Sequence, residues 1–196
     1  MSEVSESLQV RTDDAEGCIA RLRESGFNGF AFRGDRGWLT VIPYGDPAGD
    51  LALPDGAAEA LASELRAPVI SYSCHADFGW GFTLALPDGR STGFTYLDNP
   101  FGDFGDDALA PDRAADVVLD EAILAEVMPV EHVRPFFGPS AAEQAGAGPG
   151  EPGRGFARAV GFPEFEWLSP AVIQADPEEA RKRGGAEIGR QPTPMA

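Results

Sequence analysis

The sequence predicts an α+β fold: a mainly antiparallel sheet of about five strands with helices packed on one face. Three observations carry that reading. The run from Val69 to Leu97, VISYSCHADFGWGFTLALPDGRSTGFTYL, alternates apolar and polar residues over three segments, with Asp88-Gly89 as a tight turn between the last two. Two stretches, 15–22 and 58–65, instead repeat apolar residues at helical spacing. Helix, strand, turn and a strand opening on Gly-Trp occur in that order twice, at Gly37-Trp38 and Gly79-Trp80, which reads as two αββ units.

In chain order, residues 1–11 are polar and are expected to fray. Thr12 caps a first helix with Asp13, Asp14 and Glu16 in its first turn, where the helix dipole favours acids. Ala15, Cys18, Ile19 and Leu22 form its apolar face, and Gly26 ends it in the left-handed conformation. Strands follow over 29–33 and 38–43, joined by Gly34-Asp35-Arg36-Gly37. A second helix runs from Asp55 to near Arg66 with Ala58, Leu61, Ala62 and Leu65 as its stripe, and Pro68 forbids continuation. Strands over 69–75, 79–87 and 91–97 form the central meander. Residues 98–112 read as an acidic loop, and Asp112 caps a third helix through Met128. Ser140 and Glu143 have capping-box spacing. The segment 162–168 offers a sixth strand, and 177–183 a short helix. These elements divide the chain into a frayed N-terminus (1–11), a core domain (12–139), a Gly/Pro-rich linker (140–155), a docking segment (156–175) and a charged, disordered tail (176–196).

The charge balance is the most informative part of the composition. Fifteen Lys and Arg face thirty-two Asp and Glu, a net charge of −17, and Lys182 is the only lysine. Such a chain repels phosphate backbones and anionic membrane surfaces, which rest on basic stripes. A basic protein partner or a cation is the complement the charge favours, and the bland reading is that the charge only keeps the protein soluble. No stretch approaches the ~18 apolar residues of a membrane span. No basic-then-apolar leader opens the sequence, so a cytoplasmic protein with reduced thiols is expected.

Each motif with catalytic spelling loses force on a strand. Gly89-Arg90-Ser91-Thr92-Gly93 fits G-x-S-x-G, but a nucleophile elbow needs a helix after the serine, and here a strand follows. Cys74 and His75, with Asp77 nearby, spell a thiol and its base, yet neighbours on a strand point to opposite faces. His132 is the only other histidine available to Cys74. Asp98, Asn99, Asp103, Asp106 and Asp107 offer hard oxygen ligands for Ca²⁺, but their spacing is not that of an EF-hand loop, and a solvated acidic loop is the simpler reading. Two histidines and two separated cysteines do not make a zinc site, and the dinucleotide fingerprint, P-loop and HExxH pattern are absent. No cofactor, no metal and no catalytic residue is therefore expected. The candidate interaction surface is the acidic loop with Asp98, Asp103, Phe104, Asp106 and Asp107, together with His75 on the polar face of its strand.

The segments SYSCHADFGWGFTLALPDG and FARAVGFPEFEWLSP resemble stretches of small, uncharacterised acidic proteins of GC-rich bacteria, some of them immunity-like partners of toxins. The resemblance implies a bacterial origin and an interaction role, and it assigns no functional residue. The sequence thus points to a non-enzymatic protein-interaction domain of immunity-like character. The alternative is a small hydrolase or ligand-binding domain whose site is assembled from residues distant in sequence.

Overall fold

A computed structural model describes residues 4–34, 36–44, 53, 55–76, 79–97, 119–137, 148, 150–163, 166 and 168–189. Their centre is a seven-stranded sheet in which every pairing is antiparallel. The strands are β1 (Val4–Arg11), β2 (Gly29–Arg33), β3 (Trp38–Pro43), β4 (Val69–His75), β5 (Gly79–Ala85), β6 (Ser91–Leu97) and β7 (Ala186–Ile188). They lie in the order β6-β5-β4-β1-β3-β2-β7. The α+β class holds, but the strand number is seven rather than five.

Both extra strands fall where the sequence reads as frayed or disordered. β1 occupies the expected N-terminal fray and is the central strand, paired with β3 on one side and β4 on the other. β7 lies in the expected disordered tail and pairs with β2 through Gly29 and Ile188. The segment 162–168 supplies no strand among its described residues.

Two helices connect the strands across β1 and β3. Helix α1 (Ala15–Glu24) links β1 to β2, and α2 (Ala57–Leu65) links β3 to β4. Each joins strands that run parallel with one antiparallel strand between them. The second crossover starts from a strand of opposite direction and moves the opposite way along the sheet. Crossovers of equal hand therefore put both helices on one face. They meet there: Cys18, Ile19 and Leu22 of α1 and Leu61, Ala62 and Leu65 of α2 pack with Leu8, Val10, Leu39, Val41 and Val69. Asp14, rather than Thr12, is the N-cap, accepting from the Gly17 amide at 2.9 Å. Thr12 supports it by accepting from the Asp14 amide at 3.0 Å.

The opposite face is also covered, so the helices are not confined to one side. Over β4, β5 and β6 lie α3 (Glu121–Ala125), α4 (Val130–Val133), a 3₁₀ turn (Arg134–Phe136) and α5 (Glu151–Val160). They close an aromatic core in which Phe156 stacks on Phe82 at 4.8 Å and Trp80 lies 4.9 Å from Phe94. Over β2 and β3 lie α6 (Pro170–Ala175) and α7 (Pro177–Lys182), burying Phe30, Phe32, Ile42 and Leu168. Of the expected third helix through Met128 only Glu121–Ala125 is helical among the described residues: Asp120 caps it in an extended conformation and the chain turns at Glu126–Met128, while residues 112–118 lie outside the described residues.

Between these two cores runs a buried polar seam on β1. Ser5, Ser7 and Gln9 alternate with Leu8 and Val10, and all are buried. Gln9 Nε2 donates to Ser7 Oγ at 2.8 Å, and Thr40 Oγ1 donates to Gln9 Oε1 at 2.7 Å. Buried polar groups are tolerated when they satisfy one another, and this strand meets that condition with its own neighbours.

Helix α5 takes in the last five residues of the stretch 140–155 read as a linker, while 140–147 and 149 lie outside the described residues. Glu151 and Pro152 open its first turn, and Gly161 closes it with φ +88°. Its glycines serve contact, not mobility. A Cβ on Gly153 would collide with the Trp80 side chain, and one on Gly155 with the Phe136 ring.

Candidate functional site

The acidic stretch between β6 and α3 is held at both ends by the same strand. It leaves β6 at Leu97 and returns at Asp120. The Asp120 amide donates to Thr92 Oγ1 at 2.6 Å, five residues back along β6. Asp120 also caps α3, accepting from the Ala122 amide at 2.9 Å. A second tie lies one turn on. Arg90, beside the β5–β6 turn, makes a fork-to-fork pair with Glu126 at 2.7 and 3.0 Å and a further contact with Asp88 at 2.8 Å. The Arg90 guanidinium holds the Glu126 carboxyl below the usual carboxylate range. These pairs are exposed and contribute geometry more than stability.

The candidate residues Asp98, Asp103, Phe104, Asp106 and Asp107 lie outside the described residues, as does Asn99. The sequence between the two anchors also carries Asp112 and Asp116, against a single arginine, Arg113. Among the described residues no cluster of His, Cys, Asp and Glu is arranged to hold a metal ion.

His75 sits half-buried at the end of β4, paired across the sheet with Val4 and Gly79. It shares a face with Ser71 and Ser73, the same face that α1 and α2 cover further along. At this end the neighbouring β5 and β6 present Gly81, Thr83, Gly93 and Thr95, a small polar surface. Thr83, Ser91, Gly93 and Thr95 line a shallow groove of about 330 Å³ over β5 and β6.

The catalytic spellings come apart. Cys74 points away from His75 into the aromatic core, and its Sγ donates to the Gly150 carbonyl at 3.2 Å. Burial pushes the Cys74 thiol up, and pushes the neighbouring Tyr72 phenol up further. A thiol held protonated is a poor nucleophile. His132 lies on α4 at the surface, and Ser91 is exposed at the start of a strand rather than at a strand-to-helix elbow.

One concave feature has no motif in the sequence. Arg11, Arg36, Trp38, Val127, Met128, Pro129, His132, Val133, Ala159 and Val160 enclose a half-open cleft of about 230 Å³. Four separate segments build it, so no local spacing marks it. The cross-strand pair Arg11↔Trp38 was the one available signal, and only for a reader who had placed β1 beside β3.

Comparison with known proteins adds no relative: no family model, no curated protein and no solved structure matches this chain. No helix among the described residues is long and apolar enough to cross a membrane.

Proposed function

We propose that this chain is a non-enzymatic protein-interaction domain that presents the acidic stretch between Leu97 and Asp120 to a basic protein. The observation that supports it most is the double anchorage of that stretch on β6, through the strand itself and through the Asp120–Thr92 bond. A run carrying Asp98, Asp103, Asp106, Asp107, Asp112 and Asp116 is thereby fixed at its base to a rigid sheet. Preset ends reduce the ordering cost of binding. The like charge steers a cationic partner toward this edge and repels nucleic acid.

The fate of the catalytic spellings supports the same reading, because Cys74, His75, His132 and Ser91 occupy four separate places. In this proposal the protein is bacterial and cytosolic, and it acts in the manner of an immunity protein by neutralising a basic partner. The test is affinity capture from a lysate of the producing organism at low and high salt. One basic protein should be retained at low salt and released as salt screens the pair. Absence of a specific partner at low salt contradicts the proposal.

A further inference from the structure

The cleft at Arg11 and Arg36 carries an inference independent of the acidic stretch. Among the described residues most arginines are tied to a carboxylate: Arg33 to Glu16, Arg90 to Glu126, Arg134 to Glu121, Arg158 to Glu166 and Arg181 to Glu187. With acids outnumbering bases two to one, that is the expected condition. Arg11 and Arg36, like Arg21, Arg23 and Arg66, form no ion pair with a described residue, and of these five only Arg11 and Arg36 line this cleft. Asp13 and Arg11 both crowd Gly37 without pairing.

Both guanidinium-bearing chains are nevertheless positioned. The Arg11 guanidinium lies 5.3 Å over the Trp38 ring, and its Nη1 donates to the Arg36 carbonyl. Trp38 is itself buried, edge-on to Phe162 at 5.3 Å, so the platform under Arg11 is fixed. The Arg36 side chain lies across Gly161, where any Cβ would strike its Cδ. Cation–π stacking leaves the edge of a guanidinium, with its N–H groups, free to meet an oxyanion. His132 adds a third nitrogen-bearing side chain on the rim.

The remaining walls are apolar: Val127, Met128, Val133 and Val160. A volume of about 230 Å³ has room for about eight water molecules at ~30 Å³ each. That suits a short-chain organic acid and is too small for a nucleotide. We propose that this cleft binds a small monocarboxylate with a short branched or aromatic apolar body, its carboxylate on Arg11 and Arg36 and its apolar part against Val127, Met128 and Val160.

The test is a titration of the full chain, followed by NMR of the Trp38 indole and the arginine Nε–H signals. Isovalerate, benzoate, acetate and inorganic phosphate serve as separate probes. Isovalerate or benzoate should shift the Trp38, Arg11 and Arg36 signals saturably, and bind at least about tenfold tighter than acetate or phosphate. Arg36→Gln, at an exposed turn position, should weaken that binding about tenfold with the fold intact, and Arg11→Lys should weaken it while keeping the stem over Trp38. Arg66→Gln, on an exposed position away from the cleft, should leave it unchanged. Equal binding of phosphate and isovalerate overturns the proposal, because the apolar walls would then play no part. So does undiminished isovalerate binding in Arg36→Gln, or the lack of saturable shifts with either organic acid.

Discussion

The Asp120 amide donates to Thr92 Oγ1 at 2.6 Å, so the chain returns from its acidic stretch to the strand it left. Thr92 is buried, and its hydroxyl oxygen accepts from that amide. Thr92→Val keeps the shape and β-branching of the side chain and removes the acceptor. The amide is only part-buried, so water can take the place of the hydroxyl and the lost bond costs about 0.5–1.5 kcal/mol. Urea denaturation should show a loss of that size. Hydrogen exchange should speed at Asp120 to Leu124 while β4 stays protected. Unchanged exchange at Asp120 contradicts the anchoring role.

Gly153 in α5 tests whether that helix is a packed element. Alanine is favoured over glycine inside a helix by about 1 kcal/mol. Propensity alone therefore predicts that Gly153→Ala stabilises. The collision with Trp80 predicts the reverse, because overpacking a fixed core costs about 1–3 kcal/mol. A lower thermal midpoint for Gly153→Ala supports the close approach of α5 to the sheet, and a higher one contradicts it.

Removal of residues 1–11 separates the two readings of the N-terminus. A frayed end would be dispensable. β1 is the central strand and supplies Leu8 and Val10 to one core and Gln9 to the polar seam. Its loss would leave β3 and β4 as two unpaired edges. A chain starting at Thr12 should show no cooperative thermal unfolding. Native-like cooperative unfolding contradicts the central place of β1.

That contrast shows what the sequence could convey. Strands at 29–33, 38–43, 69–75 and 91–97 were legible because each has a face that alternates and turn residues that bound it. β1 was not, because SESLQVR alternates like a solvent-washed strand. Its polar face is buried between two cores, and what satisfies Gln9 is Thr40, more than thirty residues away. β7 is three residues long and gains its order mainly from distant partners, β2 and Tyr44, with only the Arg181–Glu187 contact nearby in the chain. The Gly-rich opening of α5 reads as a linker because composition cannot tell a glycine that bends from one that lets an aromatic approach. Strand alternation alone put Cys74 and His75 on opposite faces, which is where they lie. The arginine cleft was illegible for the opposite reason, since it belongs to no local pattern.

The buried acids of the core make the fold sensitive to alkali. Burial pushes the Cys18 and Cys74 thiols above the ordinary 9.0 and the Tyr72 phenol above the ordinary 10.0. Groups with folded values above their unfolded ones lend full stability below the unfolded value and lose it as pH rises toward the folded one. Stability should therefore be insensitive to these groups at neutral pH and fall as pH passes 9. Neither thiol should react with a disulfide reagent at pH 8 unless the protein is unfolded. Rapid native labelling of Cys74 contradicts its placement against Gly150.

The claim that the acidic stretch is the interaction surface is tested most directly by capture with and without its charges. The wild-type chain and an Asp103→Asn, Asp106→Asn, Asp107→Asn variant are immobilised side by side and exposed to the same lysate at low salt. At about 0.5 kcal/mol for each ion pair with the partner, removing three charges should weaken its capture about tenfold. The account predicts that loss, with the variant's thermal midpoint unchanged and the wild-type complex released by salt. Equal capture by both proteins would contradict it.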